Sequence, residues 1–81
     1  MEQTETFGQR LRRVRRVAVM TQEDLATLAG VSVATVGRLE ADEVGGGPRP
    51  STVKRVAKAL GVDPSWLLAG GEGEELLKSA A

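Results

Sequence analysis

The sequence of 81 residues contains no cysteine, no histidine and no tyrosine, and it has only one tryptophan and one phenylalanine. Without cysteine the chain can form no disulfide bond, and without cysteine and histidine it lacks the usual ligands of a zinc finger or a haem. The same absences exclude the Ser-His and Cys-His pairs of nucleophilic catalysis. The carboxylates show no spacing typical of metal ligands. We therefore predict a protein that is not an enzyme and that uses no metal ion or cofactor.

Long apolar segments are also absent. The uncharged apolar runs have only a few residues, whereas a membrane-spanning helix needs ~20. The first residues show neither the apolar core nor the cleavage site of a secretion signal. A chain of this length is expected to form one small domain. Together these features predict a soluble, cytoplasmic protein without a membrane partner.

The formal net charge is zero because basic and acidic side chains occupy different parts of the chain. Residues 7–60 carry ten lysine and arginine residues but only five acidic residues, whereas the segments on either side are acidic. A basic middle segment suits a polyanionic partner even when the whole chain is neutral. The zero net charge is therefore no argument against nucleic-acid binding.

Apolar residues recur three and four positions apart over most of the chain, and no segment alternates with the period of two that is typical of a strand. Phe7, Leu11, Val14 and Ala18 follow this spacing. They predict an amphipathic first helix over about residues 5–18. The predicted fold class is all-α.

Capping residues and helix stops define the next two helices. Thr21 precedes a second helix over about residues 22–29, which Gly30 ends. Ser32 is the predicted N-cap of a third helix over residues 33–42. Only about three residues therefore separate the second helix from the third.

A loop and two further helices complete the predicted order. The segment EVGGGPRP, residues 43–50, has three consecutive glycines and two prolines, which predict a loop. Ser51 is the predicted N-cap of a fourth helix over about residues 52–60. Asp63 as cap and Pro64 as first helical residue begin a short fifth helix that two glycines end.

Two short helices joined by a glycine-containing turn are the outline of a helix-turn-helix. Within residues 22–41, Ala26 is the small residue expected where the two helices cross, and Gly30 lies in the turn. The apolar positions expected to face the core are Leu25, Ala29, Val31, Val36 and Leu39. The segment therefore meets the packing requirements of the motif.

The segment TQEDLATLAGVSVATVGRLE, with LRRVRRV before it and PRPSTVKRVAKALGVDPSWLL after it, resembles the Cro/C1-type (Xre-like) helix-turn-helix domain of phage repressors and bacterial regulators. The resemblance covers residues 7–69. It implies a compact five-helix bundle of the lambda-repressor-like DNA-binding type, with its helix-turn-helix at about residues 22–41. We expect a DNA-binding domain over residues 1–70 and a short acidic tail over residues 71–81.

The resemblance also implies which residues bind DNA. Gln22 matches the family residue that contacts a phosphate at the start of the second helix. Ser32 and Thr35 match positions whose hydroxyls cap the third helix or touch the sugar-phosphate backbone. Arg49 matches the region from which the family reaches the backbone or the minor groove. The full predicted set is Gln22, Ser32, Val33, Ala34, Thr35, Gly37, Arg38 and Arg49.

Four residues of this set share the face of the third helix that the family turns to the bases. Arg38 alone has hydrogen-bond donors, which suit a guanine edge or a phosphate. Val33 and Ala34 suit thymine methyl groups, and Gly37 brings no side chain to the groove. A surface so poor in polar groups predicts modest sequence specificity or help from DNA shape. Ordinary helix surface, or capping alone for Ser32, is the alternative role.

The remaining charged residues are not predicted to read DNA bases. Arg15 and Glu40 match the family positions that form an ion pair between the first helix and the end of the third. The other arginines of the first helix are interpreted as a solvated face, with phosphate contact as the alternative: Arg10, Arg12, Arg13 and Arg16. Asp42 and Glu43 would repel phosphates if they faced DNA. Trp66, Leu67 and Leu68 are interpreted as core.

The function predicted is that of a sequence-specific transcriptional regulator, a repressor, that binds double-stranded DNA as a homodimer on a palindromic site. Its recognition helix, residues 33–42, would lie in the major groove. One alternative is an antitoxin or protein-interaction module that binds a protein partner through a helical surface or through the tail with Leu76 and Leu77. Another alternative is a helical bundle without affinity for DNA.

Overall fold

Residues 4–71 are described in the structure of the protein, a computed structural model. They form five helices: α1 (Phe7–Val17), α2 (Gln22–Ala29), α3 (Val33–Glu40), α4 (Pro50–Leu60) and α5 (Pro64–Ala69). No strand occurs in this range. The predicted all-α class and the order of five helices are confirmed.

Several helices begin where the sequence predicts, because side chains satisfy the free amides of their first turns. The Thr21 hydroxyl accepts a hydrogen bond from the amide of Asp24, whose carboxylate accepts one from the amide of Thr21, both at 3.0 Å. Ser32 and Asp63 each accept from an amide in the first turns of α3 and α5. Pro64 occupies the first helical position, where its missing amide costs nothing.

The start of α4 differs from the prediction. Arg49 is the N-cap and Pro50 the first helical residue, so the prediction that Ser51 caps this helix is wrong. Proline is suited to this position because its φ is already helical and it has no amide to satisfy. The Arg49 side chain makes no capping hydrogen bond.

The ends of α1 and α3 also lie inside the predicted ranges. Thr6 caps α1, which ends at Val17, so Ala18 is an exposed C-cap and not part of a buried stripe. α3 ends at Glu40 because the chain turns directly after it. Asp42 has a φ of +57°, in the left-handed region that ends helices.

Each helix supplies at least one fully buried apolar side chain to a shared core. The largest from each helix are, from α1 to α5, Leu11, Leu25, Val36, Val56 and Leu67. α2 packs against α3 and α4, while α1 packs against α3 and α5. Trp66 is 6% exposed, so its predicted core position and that of Leu67 are confirmed, whereas Leu68 is 47% exposed and the prediction for it is wrong.

Arg10 is only 5% exposed, so the interpretation that it lies on a solvated face is wrong. Its guanidinium donates to the carbonyl of Leu67 at 2.8 Å, to that of Leu68 at 3.3 Å and to that of Glu5 at 2.9 Å. The last carbonyls of a helix lack partners within the helix, and a planar fork of donors can satisfy several at once. Arg10 therefore fastens α5 to α1.

None of the helices described here has the length and apolar character required to cross a membrane.

Candidate nucleic-acid interface

The turn between α2 and α3 places α3 across the surface of the bundle. Ala26 is 5% exposed where the helices cross, and Gly30 adopts a φ of +72°, which a residue with a side chain rarely adopts. The amide of Val31 donates to the Ala26 carbonyl at 3.0 Å, which closes the end of α2. Ser32 then begins α3 at once. The turn therefore has a defined backbone conformation.

α3 has a buried face and an open face. Val36 and Leu39 are 0% and 2% exposed. On the other side Ala34 and Arg38 are exposed, and Val33 is 45% exposed. The open face is thus mainly apolar or uncharged, with one guanidinium near its C-terminal end. Its composition matches the prediction of few polar groups.

Gly37 lies within α3, beside this face. Apart from its two chain neighbours and the backbone of its own helix, no described residue has an atom within 4 Å of a Cβ built on it. Packing within the chain therefore does not demand glycine here. The residue leaves the helix backbone open to an external molecule.

The hydroxyls of Ser32 and Thr35 are 2.9 Å apart, and the Ser32 hydroxyl also accepts from the Thr35 amide at 3.0 Å. Capping is thus part of the role of Ser32. A hydroxyl can donate one hydrogen bond and accept two. Both groups therefore keep capacity for a further partner.

A groove of about 370 Å³ separates α3 from the start of α4. Thr35 and Arg38 line one side, and Arg49 and Thr52 line the other. Within residues 4–71 neither Arg38 nor Arg49 takes part in an ion pair. Three of the predicted DNA-binding residues, Thr35, Arg38 and Arg49, are thus brought to one groove by separate segments of the chain.

The start of α4 adds to the positive character of this groove. The N-terminal amides of a helix carry partial positive charge and attract anions. Arg49 leaves them without a side-chain cap, and Thr52 in the first turn of α4 also lines the groove. Glu43 also lines the groove and opposes this field.

Asp42 does not line this groove. Its carboxylate accepts from the amide of Gly8 at 2.9 Å and from the hydroxyl of Thr6 at 2.6 Å, at the first turn of α1. The predicted repulsion of phosphates therefore concerns Glu43 more than Asp42. Sequence reasoning missed this capping role because the two segments are far apart in the chain.

The predicted ion pair between Arg15 and Glu40 is present in the structure. Two guanidinium nitrogens of Arg15 lie 2.5 and 3.0 Å from the carboxylate oxygens, and a third donates to the Met20 carbonyl at 2.8 Å. The side chains of Arg15 and Glu40 are 10% and 5% exposed. The hydrogen bond with Glu40 raises the pKa of Arg15 despite burial.

Glu40 has a second partner that the sequence did not reveal. The side-chain amide of Gln22 donates to its Oε1 atom at 3.1 Å. Burial alone raises the pKa of the Glu40 carboxyl, but the hydrogen bonds from Arg15 and Gln22 and the neighbouring guanidinium charges outweigh it. The pKa therefore lies below its ordinary value of 4.5.

Comparison with known proteins gives the same fold. A helix-turn-helix family model matches residues 11–67. The HTH-type transcriptional repressor RghR of Bacillus subtilis is 41% identical over 64 residues, which are 79% of this chain and 47% of RghR. The HTH-type transcriptional regulator PrtR of Pseudomonas aeruginosa is 38% identical over 78 residues, which are 94% of this chain and 28% of PrtR. The chain thus spans about half or less of the length of these curated relatives.

Solved structures extend the comparison to the arrangement of the helices. The restriction-modification controller protein C.AhdI from Aeromonas hydrophila superposes with a TM-score of 0.71 at 34% identity, over 76% of this chain and 91% of that protein. The P22 c2 repressor, solved in complex with a synthetic operator, superposes with a TM-score of 0.77 at 29% identity, over 84% of this chain and 100% of the repressor chain. The chain belongs to the Cro/C1-type helix-turn-helix family and has the five-helix fold of its repressor DNA-binding domains.

Proposed function

We propose that the protein is a sequence-specific DNA-binding transcriptional regulator, acting as a repressor in the cytoplasm, with α3 as the part of the predicted recognition helix that enters the major groove. The observation that carries this proposal is the groove in which Arg38 of α3 faces Arg49 at the start of α4. Among residues 4–71 these two guanidinium groups take part in no ion pair. Brought together beside an exposed helix face, they suit a polyanion whose base edges can be read. We assign no catalytic step to the chain.

Phosphate contacts are proposed on both sides of α3. Gln22 lies at the first position of α2, where the helix N-terminus favours an anion. The hydroxyls of Ser32 and Thr35 are proposed to touch the sugar-phosphate backbone near the start of α3. Arg49 and the uncapped amides of α4 are proposed to bind a phosphate on the far side of the groove. Such contacts would fix the position of the domain on the duplex.

Base contacts are proposed for the open face of α3. Arg38 is suited to a guanine edge, and Val33 and Ala34 to thymine methyl groups. Gly37 permits close approach, since no described residue outside its own helix lies within 4 Å of the position of a Cβ. With one polar reader, a single domain would have limited discrimination.

Binding as a homodimer to a palindromic site would double the number of base contacts. On α5, Trp66 and Leu67 are buried in the core, so the exposed Leu68 is the candidate for a dimer contact on this helix. Leu76 and Leu77 lie outside the described residues, as does nearly all of the proposed acidic tail over residues 71–81. The domain proposed for residues 1–70 remains the DNA-binding part.

Binding of a protein partner is the second candidate function. A groove between α2 and α4 is lined by Leu28, which is 62% exposed, and by Arg55 and Lys58. An apolar side chain beside two cations suits an acidic amphipathic segment of another protein. An antitoxin-like module could use this surface as well as DNA, with the tail as the other proposed binding segment.

The deciding experiment is selection of bound fragments from the genomic DNA of the source organism, followed by sequencing. Arg38→Ala is the test variant, and Lys58→Ala removes the same charge from the groove between α2 and α4. We expect the wild-type protein and Lys58→Ala to recover a shared palindrome that Arg38→Ala loses or blurs. Recovery no better than random by the wild-type protein would overturn the proposal.

A salt series on the recovered fragment tests whether phosphate contacts contribute to the binding. Binding through phosphates releases counterions, so affinity should fall steeply as salt rises. An affinity that hardly changes with salt would argue against phosphate contacts.

A further inference from the structure

The carboxylate of Glu40 joins two residues that belong to different helices. Its Oε2 atom accepts from Arg15 Nε at 2.5 Å, and its Oε1 atom accepts from Arg15 Nη2 at 3.0 Å and from Gln22 Nε2 at 3.1 Å. Glu40 is the last residue of α3, Arg15 is in α1, and Gln22 begins α2. One carboxylate therefore holds the three helices together beside the proposed phosphate contact.

We infer that Glu40 is a positioning residue, which orients the side chain of Gln22 toward a DNA phosphate. An ionised carboxylate only accepts hydrogen bonds, so it determines which end of the Gln22 amide faces it. The nitrogen Nε2 carries two hydrogens, and Glu40 takes one of them. The second hydrogen remains for a phosphate oxygen. This inference rests on the proposed function, because it concerns the DNA contact of Gln22.

A carboxylate close to a phosphate would normally weaken DNA binding by repulsion. Arg15 removes this obstacle, since it binds both oxygen atoms of Glu40 and neutralises the charge locally. The carboxylate side chain is also only 5% exposed. Glu40 can therefore orient Gln22 without presenting a net negative charge to the duplex.

This arrangement orders the Gln22 side chain before DNA binds, which favours binding. A long polar side chain that is free in solution loses rotamer entropy when it binds, whereas one already held in place loses less. The capping box of Thr21 and Asp24 fixes the backbone beside Gln22, and Glu40 fixes the side chain. The phosphate contact is thus prepared before DNA arrives, at a fixed position relative to α3.

The first test compares two carboxylates near the interface. Glu40→Gln and Glu43→Gln each remove one negative charge, and Glu43 is the exposed control that lines the groove with Arg38. On the duplex recovered by genomic selection, we expect Glu43→Gln to bind up to about threefold more tightly because repulsion is reduced. We expect Glu40→Gln to bind about tenfold more weakly, like Gln22→Ala. Unchanged or tighter binding by Glu40→Gln would overturn the inference.

Neutral phosphates distinguish positioning from a general structural defect. Uncharged methylphosphonate groups replace the phosphates of the same duplex one at a time. The phosphate bound by Gln22 is the one whose replacement weakens DNA binding by the wild-type protein but not by Gln22→Ala. At that phosphate, wild type and Glu40→Gln should bind equally well. With the methylphosphonate at any other position, Glu40→Gln should still bind about tenfold more weakly than the wild-type protein. A purely structural role of Glu40 would instead weaken binding equally at every position.

A measurement on the wild-type protein covers the case in which Glu40→Gln does not fold. The nitrogen relaxation of the Gln22 side-chain amide should give an order parameter near that of rigid backbone, about 0.8, in the absence of DNA. A value below about 0.6, typical of a flexible group, would overturn the inference.

The outcomes also separate this inference from the proposed function. If the wild-type protein recovers no DNA, the proposed function fails, while the order of Gln22 can still be measured. If DNA binds and Gln22→Ala weakens it but Glu40→Gln does not, only the positioning role of Glu40 fails.

Discussion

Asp42 and Gly8 join the end of α3 to the start of α1: the Asp42 carboxylate accepts a hydrogen bond from the Gly8 amide at 2.9 Å. The same carboxylate accepts from the Thr6 hydroxyl at 2.6 Å. A carboxylate at a helix N-terminus also interacts favourably with the helix dipole. The segment after α3 is therefore held in place by α1, although it belongs to a loop.

This contact predicts that Asp42→Ala lowers the free energy of unfolding by about 1–2 kcal/mol, because the first turn of α1 loses a capping group. Asp42→Asn should lose less, since its amide oxygen can still accept and asparagine tolerates a positive φ. Urea unfolding measures both, with Glu43→Ala as the control expected to stay within about 0.5 kcal/mol. Equal losses for Asp42→Ala and Glu43→Ala would contradict the capping role.

Two glycine-to-alanine substitutions should have opposite effects on stability. A Cβ on Gly8 would lie 2.5 Å from the Glu40 carbonyl oxygen and 2.6 Å from that of Leu39. Because both are backbone atoms, α1 and α3 would have to separate, and we expect a loss of about 1–3 kcal/mol. Gly37→Ala meets nothing within 4 Å and should gain up to about 1 kcal/mol.

Thermal unfolding checks this pair, since about 1 kcal/mol corresponds to a shift in Tm of roughly 4–8 °C in a domain of this size. Gly37→Ala also tests the proposed close approach of DNA to α3. A more stable protein with weaker DNA binding is expected, and undiminished affinity would argue against close approach.

Val19 offers a stabilising substitution in the turn between α1 and α2. It has a φ of +59° and is 88% exposed, and the left-handed conformation costs a residue with a side chain about 1–2 kcal/mol. Val19→Gly relieves this strain but loses about 0.5–1 kcal/mol in backbone entropy. We expect a net gain of up to about 1 kcal/mol in urea unfolding.

Val17→Gly is the matched control, because Val17 is 75% exposed but ends α1 with helical geometry. It should lower stability by roughly 0.5 kcal/mol. If both substitutions destabilise to the same extent, Val19 is not strained in solution.

The stability of the fold should depend on pH in the acidic range, because the Glu40 carboxyl must be ionised to pair with Arg15. Its carboxyl has an ordinary pKa of 4.5 when unfolded and a lower pKa when folded. A carboxyl of this kind stabilises the protein above its unfolded pKa, and the contribution is lost as pH falls through the folded pKa. We expect stability to fall below about pH 4.5 and to change little near neutrality, since the chain has no histidine.

Unfolding of Glu40→Gln across the same pH range is the check. At neutral pH this variant should be less stable by about 3–5 kcal/mol, because Arg15 is left buried without its partner. Below pH 4.5 the difference from wild type should shrink. A difference that is constant with pH would show that ionisation of Glu40 does not contribute.

The five helices could be predicted because their signals are local. Thr21, Ser32 and Asp63 cap helices that follow them directly, and Gly30 ends α2 through its own backbone. The start of α4 was placed wrongly because Ser51 and Pro50 both carry start signals. In the structure Pro50 at the first helical position, and not Ser51 as N-cap, marks the start of the helix.

The contacts that sequence reasoning missed join distant parts of the chain. Arg10 is buried against carbonyls of α5, although its neighbours Arg12 and Arg16 are exposed as expected. Whether an arginine of α1 is buried depends on where α5 packs, and the spacing of apolar residues in the sequence does not show this. Gln22 was singled out for DNA contact, but its bond to Glu40 depends on the crossing of α2 and α3.

The shared core limits how the protein can be divided. Since every helix supplies a side chain that only the other helices shield from water, α2 and α3 cannot be excised as a shorter DNA reader. A chain cut before Pro64 would remove Trp66 and Leu67 from the shared core, and Arg10 would lose its hydrogen bonds to the carbonyls of Leu67 and Leu68. The small α5, which lies outside the α2–α3 motif, is therefore a requirement for folding of the whole domain.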